Sequence, residues 1–210
     1  MTYKAIIYGA GGHARELQFQ LQAEGVSTLA FVDDFRSGFD IEGIPVLSRE
    51  GASSRFLDGR WFVAIGDNDG RKNILAALRD LGLPIGSFIS SRALVSPSAS
   101  ISGAAQIFAN AVISAGTALE DNVVVNFGSI LHHDVKIGAN SFIAGGVTIA
   151  GNVKVGSGVW LGVGCTVING TSDHPLNIGD NVVVGAQACV VSDVGDHEIV
   201  VGVPAKPRSF

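Results

Sequence analysis

Three short segments carry residue types whose spacing could do chemistry. The first is His132-His133-Asp134, set between Leu131 and Val135. A histidine beside a carboxylate is a general-base arrangement, because the anion favours the imidazolium that forms when the ring takes a proton. The second is Gly9-Ala10-Gly11-Gly12-His13-Ala14, a glycine turn that opens a helical pattern and puts His13 and Arg15 near where a phosphate would rest. The third is a pair of strand ends, Asp33-Asp34 and Gly66-Asp67-Asn68, of the kind that line ligand crevices in open parallel sheets.

Each segment also has a plainer reading. His-His-Asp could be a solvated corner, and the glycines could serve helix packing with the acids in solvent. The glycine turn formally reads GxGxxA with an acid about twenty residues on, a weak dinucleotide fingerprint. Some ninety residues, however, supply only half of a two-part dinucleotide sheet, so a mononucleotide or nucleotide sugar is the better match in size.

The elements that must position these residues fall into two halves. Lys4–Tyr8 reads as a strand, His13–Gln22 as a helix, Thr28–Val32 and Trp61–Ile65 as further strands and Gly70–Leu81 as a second helix. This alternation predicts a parallel α/β sheet, a Rossmann-like half-domain spanning residues 1–91. From Val95 onward the period changes. Val95, Ile101, Ile107, Ile113, Leu119, Val125 and Leu131 begin a register of thirteen aliphatic residues, one every six, that runs unbroken to Val167. Four residues after each marker stands a small or β-branched residue, such as Ala105, Val123, Ser141 or Cys165.

A period of six suits neither a helix nor a lone strand, but it suits three flat sheets stacked around a triangular prism. Residues 92–210 are therefore expected to form an all-β, left-handed parallel β-helix, with the boundary near Ser90–Ala93. The register slips once after Val167, so five extra residues within 169–177 should bulge as a loop, and Val201 is expected as the last marker.

Composition narrows the function. A formal charge of -5 gives no basic surface for a nucleic acid. No run of eighteen apolar residues could span a membrane, and no apolar leader precedes the first strand, so a cytoplasmic protein is expected. Cys165 and Cys189 are far apart and read as buried small apolar residues. Zinc is not expected: one coil from His133 stand Ala115 and Gly151, while His174 and His197 lie out of register.

Taken together, the repeats, the short α/β head, GAGGHA, Asp33-Asp34, AIGDN, the His-Asp pair and the closing VGVPAK resemble the hexapeptide acetyltransferases of bacterial surface-sugar synthesis. These include the sialic acid O-acetyltransferases and the N-acetyltransferases of UDP-4-amino-dideoxy sugars. The resemblance spans essentially the whole chain. It implies acetyl-CoA as co-substrate, no metal, a homotrimer, and a UDP-amino sugar held by Gly11, Gly12, His13, Asp33, Asp34 and Gly66. It identifies His133, five residues before Gly138, as the base, and Asp134 as the carboxylate that supports it. Gly151, Val163 and Ala186 align with the acetyl-CoA groove. His132 departs from the acidic residue usual before the base, and Phe142 stands where some members have a histidine. O-acetylation of a sialic acid, or a non-catalytic nucleotide-binding β-helix module, are the alternatives.

Overall fold

A computed structural model describes residues 3–208. The chain divides into two compact units, Met1–Ser87 and Phe88–Phe210.

In the first unit β1 (Ala5–Tyr8), β2 (Thr28–Val32), β3 (Asp40–Ile41), β4 (Ile44–Leu47) and β5 (Arg60–Val63) form one sheet in the order β3-β4-β2-β1-β5. All neighbours are parallel except the β3–β4 hairpin at the edge. β1 is buried along its whole length, as a continuous apolar strand in the middle of a parallel sheet should be. Helix α1 (Gly12–Ala23) follows β1, short α2 (Arg49–Ser53) follows β4, and α3 (Asn68–Asp80) follows β5. The α3 start lies two residues before the expected Gly70, because Asp67 caps it by accepting the Gly70 N–H at 2.6 Å. The hairpin and α2 were not expected from the sequence.

The second unit is the triangular prism, matching the left-handed β-helix of the expectation. Its face 1 stacks Phe88–Ile89, Gln106–Ile107, Val124–Val125, Phe142–Ile143, Trp160–Leu161, Val183–Val184 and Ile199–Val201, with Lys206–Pro207 antiparallel at the edge. Face 2 runs from Leu94–Val95 to Cys189–Val190, and face 3 from Ser100–Ile101 to Leu176–Ile178. Partners on successive coils are eighteen residues apart, as in Val112 with Ile130 and Ala118 with Lys136. The first strand of face 1, Phe88–Ile89, precedes the boundary expected near Ser90 and pairs with Gln106–Ile107.

The markers and their small partners fill the interior. Ile113, Leu131, Val135, Ile149, Val153 and Leu161 all belong to one buried cluster, each removal from water contributing about 1.5–3 kcal/mol. The polar partners are satisfied from inside: Ser129 Oγ donates to the Ala144 carbonyl at 2.8 Å and Ser141 Oγ to that of Gly156 at 3.0 Å.

Every sixth residue from Ala104 to Gly164 turns a corner at positive φ, mostly as Asn or Gly, for example Asn110, Asn122, Asn140 and Asn152. Gly138, Gly151 and Gly179, which stand one or two residues before Asn140, Asn152 and Asn181, keep φ outside that region. They are small for another reason. A Cβ on Gly138 would overlap the backbone of Gly156, and one on Gly179 the Asp196 carboxylate.

The slip after Val167 lengthens one coil to 23 residues, Val153 pairing with Leu176. The next coil is short. Val183 pairs with Ile199 and Val184 with Val200, so the inward residue is Val200, 2% exposed, and not the expected Val201. Cys165 is buried, which pushes its thiol up to about 12. Cys189 departs from the expectation: it stands on the outer side of face 2 and is only half-buried.

Candidate active site

At the head, the ends of β1, β2 and β5 open onto a cavity of about 650 Å³. Gly11, Gly12, His13, Asp33, Asp34 and Gly66 all line it. Arg15 does not, because the helix carries it past the opening; the cationic side chain on the cavity is Arg36.

The glycine turn divides into two roles. Gly9 has φ +123, and a Cβ there would overlap the Ala64 carbonyl oxygen, so it is required where β1 passes β5. Gly11 and Gly12 have open space where a side chain would begin. Gly11 caps α1 without a side chain, and no acid stands in the first helical turn. Among the described residues, the Gly11 and Gly12 N–H groups donate to no protein acceptor, which leaves an anion-receptive helix start at the cavity.

The two carboxylates are anchored differently. Asp33 Oδ1 accepts the N–H groups of Phe35 and Arg36, each at 3.0 Å, while its Oδ2 receives the Arg36 guanidinium at 3.1 Å. Asp34 accepts the Tyr8 hydroxyl at 2.6 Å and the Arg49 N–H at 2.8 Å. Burial pulls the Asp34 carboxyl upward, but the Tyr8 and Arg49 hydrogen bonds and the Arg49 charge outweigh it and hold the group below its ordinary value. The Tyr8 hydroxyl is pushed up by burial and by the same carboxylate.

Behind the third strand end, Arg71 is fully buried. Burial lowers it to about 10 against the pull of Asp67. Its guanidinium donates to the Ile65 carbonyl at 3.2 Å and Asn68 Oδ1 at 2.8 Å, and so fixes the turn that carries Gly66.

In the prism, His133 and Asp134 occupy the corner between faces 2 and 3, both exposed. His133 Nδ1 lies 2.9 Å from Asp134 Oδ2, leaving Nε2 available. Asp134 is itself a corner residue, at φ 58, in the position that Asn fills elsewhere. The corner is pinned from within: the buried Thr117 hydroxyl donates to the His132 carbonyl at 2.7 Å. His132 lies on the same turn, and no ion pair among the described residues joins it to Asp134.

Two glycines frame the pair. A Cβ on Gly151, one coil above, would overlap the His133 ring, and a Cβ on Gly116, one coil below, would overlap Asp134 Oδ1. The inserted loop emerges at this same corner, where the Gly170 N–H donates to the Gly151 carbonyl at 3.1 Å.

Backbone N–H groups two residues after each marker distinguish the corners. Between faces 3 and 1 three of them are taken by carboxylates: Ala139 by Glu120 at 3.0 Å, Ser157 by Asp180 at 2.7 Å and Asp180 by Asp196 at 2.8 Å. Those of Gly151, at the His133 corner, and of Val163 and Ala186, at the corner between faces 1 and 2, donate to no acceptor among the described residues. Gly145 shares this open column with Val163 and Ala186, and sequence reasoning missed it. The corners that carry these N–H groups flank face 2. The structure thus sets Gly151 against His133 and puts Val163 and Ala186 on the other edge of that face.

Among the described residues no cluster of three or more His, Cys, Asp or Glu is placed to hold a metal, and no helix is long and apolar enough to cross a membrane.

Residues 4–78 match the PglD N-terminal domain, and residues 116–151 match the bacterial transferase hexapeptide, six repeats. The chain is similar throughout to a histidine-to-asparagine mutant of perosamine N-acetyltransferase from Caulobacter crescentus, solved in complex with CoA and GDP-perosamine. Identity is 33%, with 99% of this chain and 97% of that one covered at a TM-score of 0.91. The acetyltransferase domain of PglB from Neisseria gonorrhoeae, also solved with acetyl coenzyme A, is 31% identical and covers 99% of this chain and 100% of its own. Its TM-score is 0.89 in the first structure and 0.90 with acetyl coenzyme A. WeeI from Acinetobacter baumannii is 27% identical over 99% of this chain and 100% of its own, at a TM-score of 0.93.

With 33% and 31% identity over nearly the whole of two of these proteins, the chain belongs to the hexapeptide-repeat sugar acetyltransferases with a PglD-type N-terminal domain, enzymes that use acetyl-CoA.

Proposed function

We propose that the chain N-acetylates the 4-amino group of a UDP-linked amino-dideoxy sugar, with His133 as general base. The observation that carries the reading is the pairing of two sites in one chain. The head offers an open helix N-terminus for a diphosphate, and the prism offers a histidine whose second nitrogen is free beside a carboxylate. The complex of the perosamine enzyme with CoA and GDP-perosamine supports a nucleotide amino sugar as acceptor.

In the mechanism the amine nitrogen attacks the thioester carbonyl carbon while His133 Nε2 takes its proton. The Asp134 carboxylate stabilises the imidazolium that results. The tetrahedral intermediate then collapses, the C–S bond breaks, and the CoA sulfur leaves with the proton returned by the imidazolium. The Gly151 N–H donates to no acceptor among the described residues, and it is the donor we assign to the oxyanion, a contribution of about 3 kcal/mol. Gly145, Val163 and Ala186 offer further backbone donors suited to the amides of a pantetheine arm. A cytoplasmic location accords with acetyl-CoA as co-substrate.

Face 2 supports a homotrimer. Its outward column holds Leu94, Val112, Ile130, Thr148 and Thr166, whereas face 3 presents Ser100, Ala118, Lys136, Lys154 and Asn177. Leu94 is 68% exposed and Ile130 36%, an apolar strip that water would otherwise cover. Ile130→Glu is expected to convert the trimer to single chains in light scattering; an unchanged mass would exclude face 2 as the contact.

The enzymatic test is thiol release from acetyl-CoA with UDP- and GDP-linked 4-amino sugars, CMP-sialic acid and free sialic acid. Turnover with a UDP-amino sugar is the expected result. Turnover with only the GDP sugar would replace the nucleotide, and turnover with only sialic acid would make the reaction O-acetylation.

Gly12→Ala separates binding from folding. Alanine at a first helical position with open space should leave the melting temperature unchanged or raised. Its methyl enters the cavity, and UDP affinity is expected to fall about tenfold, or roughly 1.4 kcal/mol. Calorimetric titration reads this directly; unaltered affinity would remove the helix start from the nucleotide site.

A further inference from the structure

Phe35 is 98% exposed, more than any other large hydrophobic side chain among the described residues, and it lines the head cavity. An aromatic ring left this bare at a cavity calls for a partner with an apolar or π face. Its backbone is braced, since Asp33 Oδ1 holds the N–H groups of Phe35 and Arg36 at 3.0 Å each. The Arg36 guanidinium closes the turn on Asp33 Oδ2. The ring is thus presented from a fixed turn, which lowers the ordering cost of binding against it.

Topology says which part of a ligand the ring meets. β1 lies between β2 and β5, and the open helix start follows β1. A nucleotide sugar is linear, with its diphosphate between nucleoside and sugar. When the diphosphate rests over the middle strand, the two organic ends fall over opposite neighbours, each about 4.8 Å away in the sheet. The β2 end carries Phe35 together with Asp33 and Asp34, whose carboxylates suit ribose hydroxyls. The β5 end carries Ile65 and Gly66, with no ring and with open space at Gly66.

We infer that Phe35 is the stacking platform for the nucleobase, so that the substrate lies with its base over β2 and its amino sugar over β5. The inference rests on the nucleotide-sugar reading above. Nothing in the ring's protein surroundings requires an aromatic residue, so the π face itself is the functional property.

The test is calorimetric titration of the full chain with UDP and with GDP, comparing wild type, Phe35→Leu and Phe35→Trp. Leucine keeps an apolar side chain and removes the π face, and the Kd of the nucleotide the wild type prefers is expected to rise about tenfold. Tryptophan should retain wild-type affinity. Inorganic pyrophosphate, which has no base, should bind all three alike, and thermal melts should superimpose because the side chain is exposed. Equal Kd values for wild type and Phe35→Leu would overturn the platform while leaving the nucleotide reading standing. A changed mass in light scattering with unchanged Kd would instead make Phe35 a contact between copies. A wild-type chain that binds neither diphosphate would overturn the nucleotide reading and the platform with it.

Discussion

Replacing His133 by alanine is expected to lower kcat for acetyl transfer about 10²- to 10⁴-fold, the range for a lost general acid–base group. The acetyl-CoA KM and the oligomeric mass should stay near wild type. The selectivity follows from the environment of the ring. His133 is exposed and stands outside the buried core of the prism, so truncation removes no core contact. Its side-chain partner is Asp134, whose carboxylate remains in solvent when the ring is gone and incurs no buried-charge penalty. Steady-state thiol release with a saturating acceptor checks the prediction. Turnover within threefold of wild type would remove His133 from the chemistry and direct attention to His132 on the same turn.

How much of this was legible in the sequence depends on the range of the interactions involved. The prism is readable because each coil repeats one local rule: an aliphatic residue every sixth position, a small partner four later, and a corner that accepts positive φ. Ile113, Leu131 and Ile149 obey it and are buried. The rule fails where coil length changes. The sixteen-residue step from Val184 to Val200 is set by the turn that brings Val194 against Ile178, and no local pattern announces it.

In the head, the glycine turn and the acids at the β2 end were visible, but the partners that anchor them were not. Tyr8 meets Asp34 across 26 positions, and Arg71 reaches back beneath Gly66 to carbonyls that a sequence does not display. Nothing in the sequence sets Phe35 apart from other apolar residues after a strand; its exposure does. The hairpin Asp40–Leu47 escaped because its first strand has two residues and shows no alternation. Asp134 is a different case. A corner residue and a carboxylate beside a base are the same side chain, and sequence reasoning could weigh those readings but not combine them.

Gly151→Ala is expected to cost nearly as much turnover as His133→Ala, again about 10²-fold or more, with little loss of stability. Gly151 is not at positive φ, so alanine meets no backbone strain. What it meets is the His133 ring, whose Nε2 and Cε1 occupy the space of the new methyl. Because the ring is exposed, it can swing outward without disturbing the prism, and in doing so it leaves Asp134. The N–H of residue 151 survives the substitution, so a loss in kcat without a matching rise in the acetyl-CoA KM isolates the ring position from the oxyanion donor. Gly138→Ala is the contrasting substitution. Its methyl would overlap the carbonyl group of Gly156 and the Ser157 nitrogen, backbone that cannot swing away. Overpacking of that kind costs about 1–3 kcal/mol of stability, while His133 and Asp134 are left untouched. Melting temperature and kcat should therefore separate the two glycines in opposite senses. If Gly151→Ala kept more than half of wild-type kcat, the position of the ring over residue 151 would not be the one in which His133 acts.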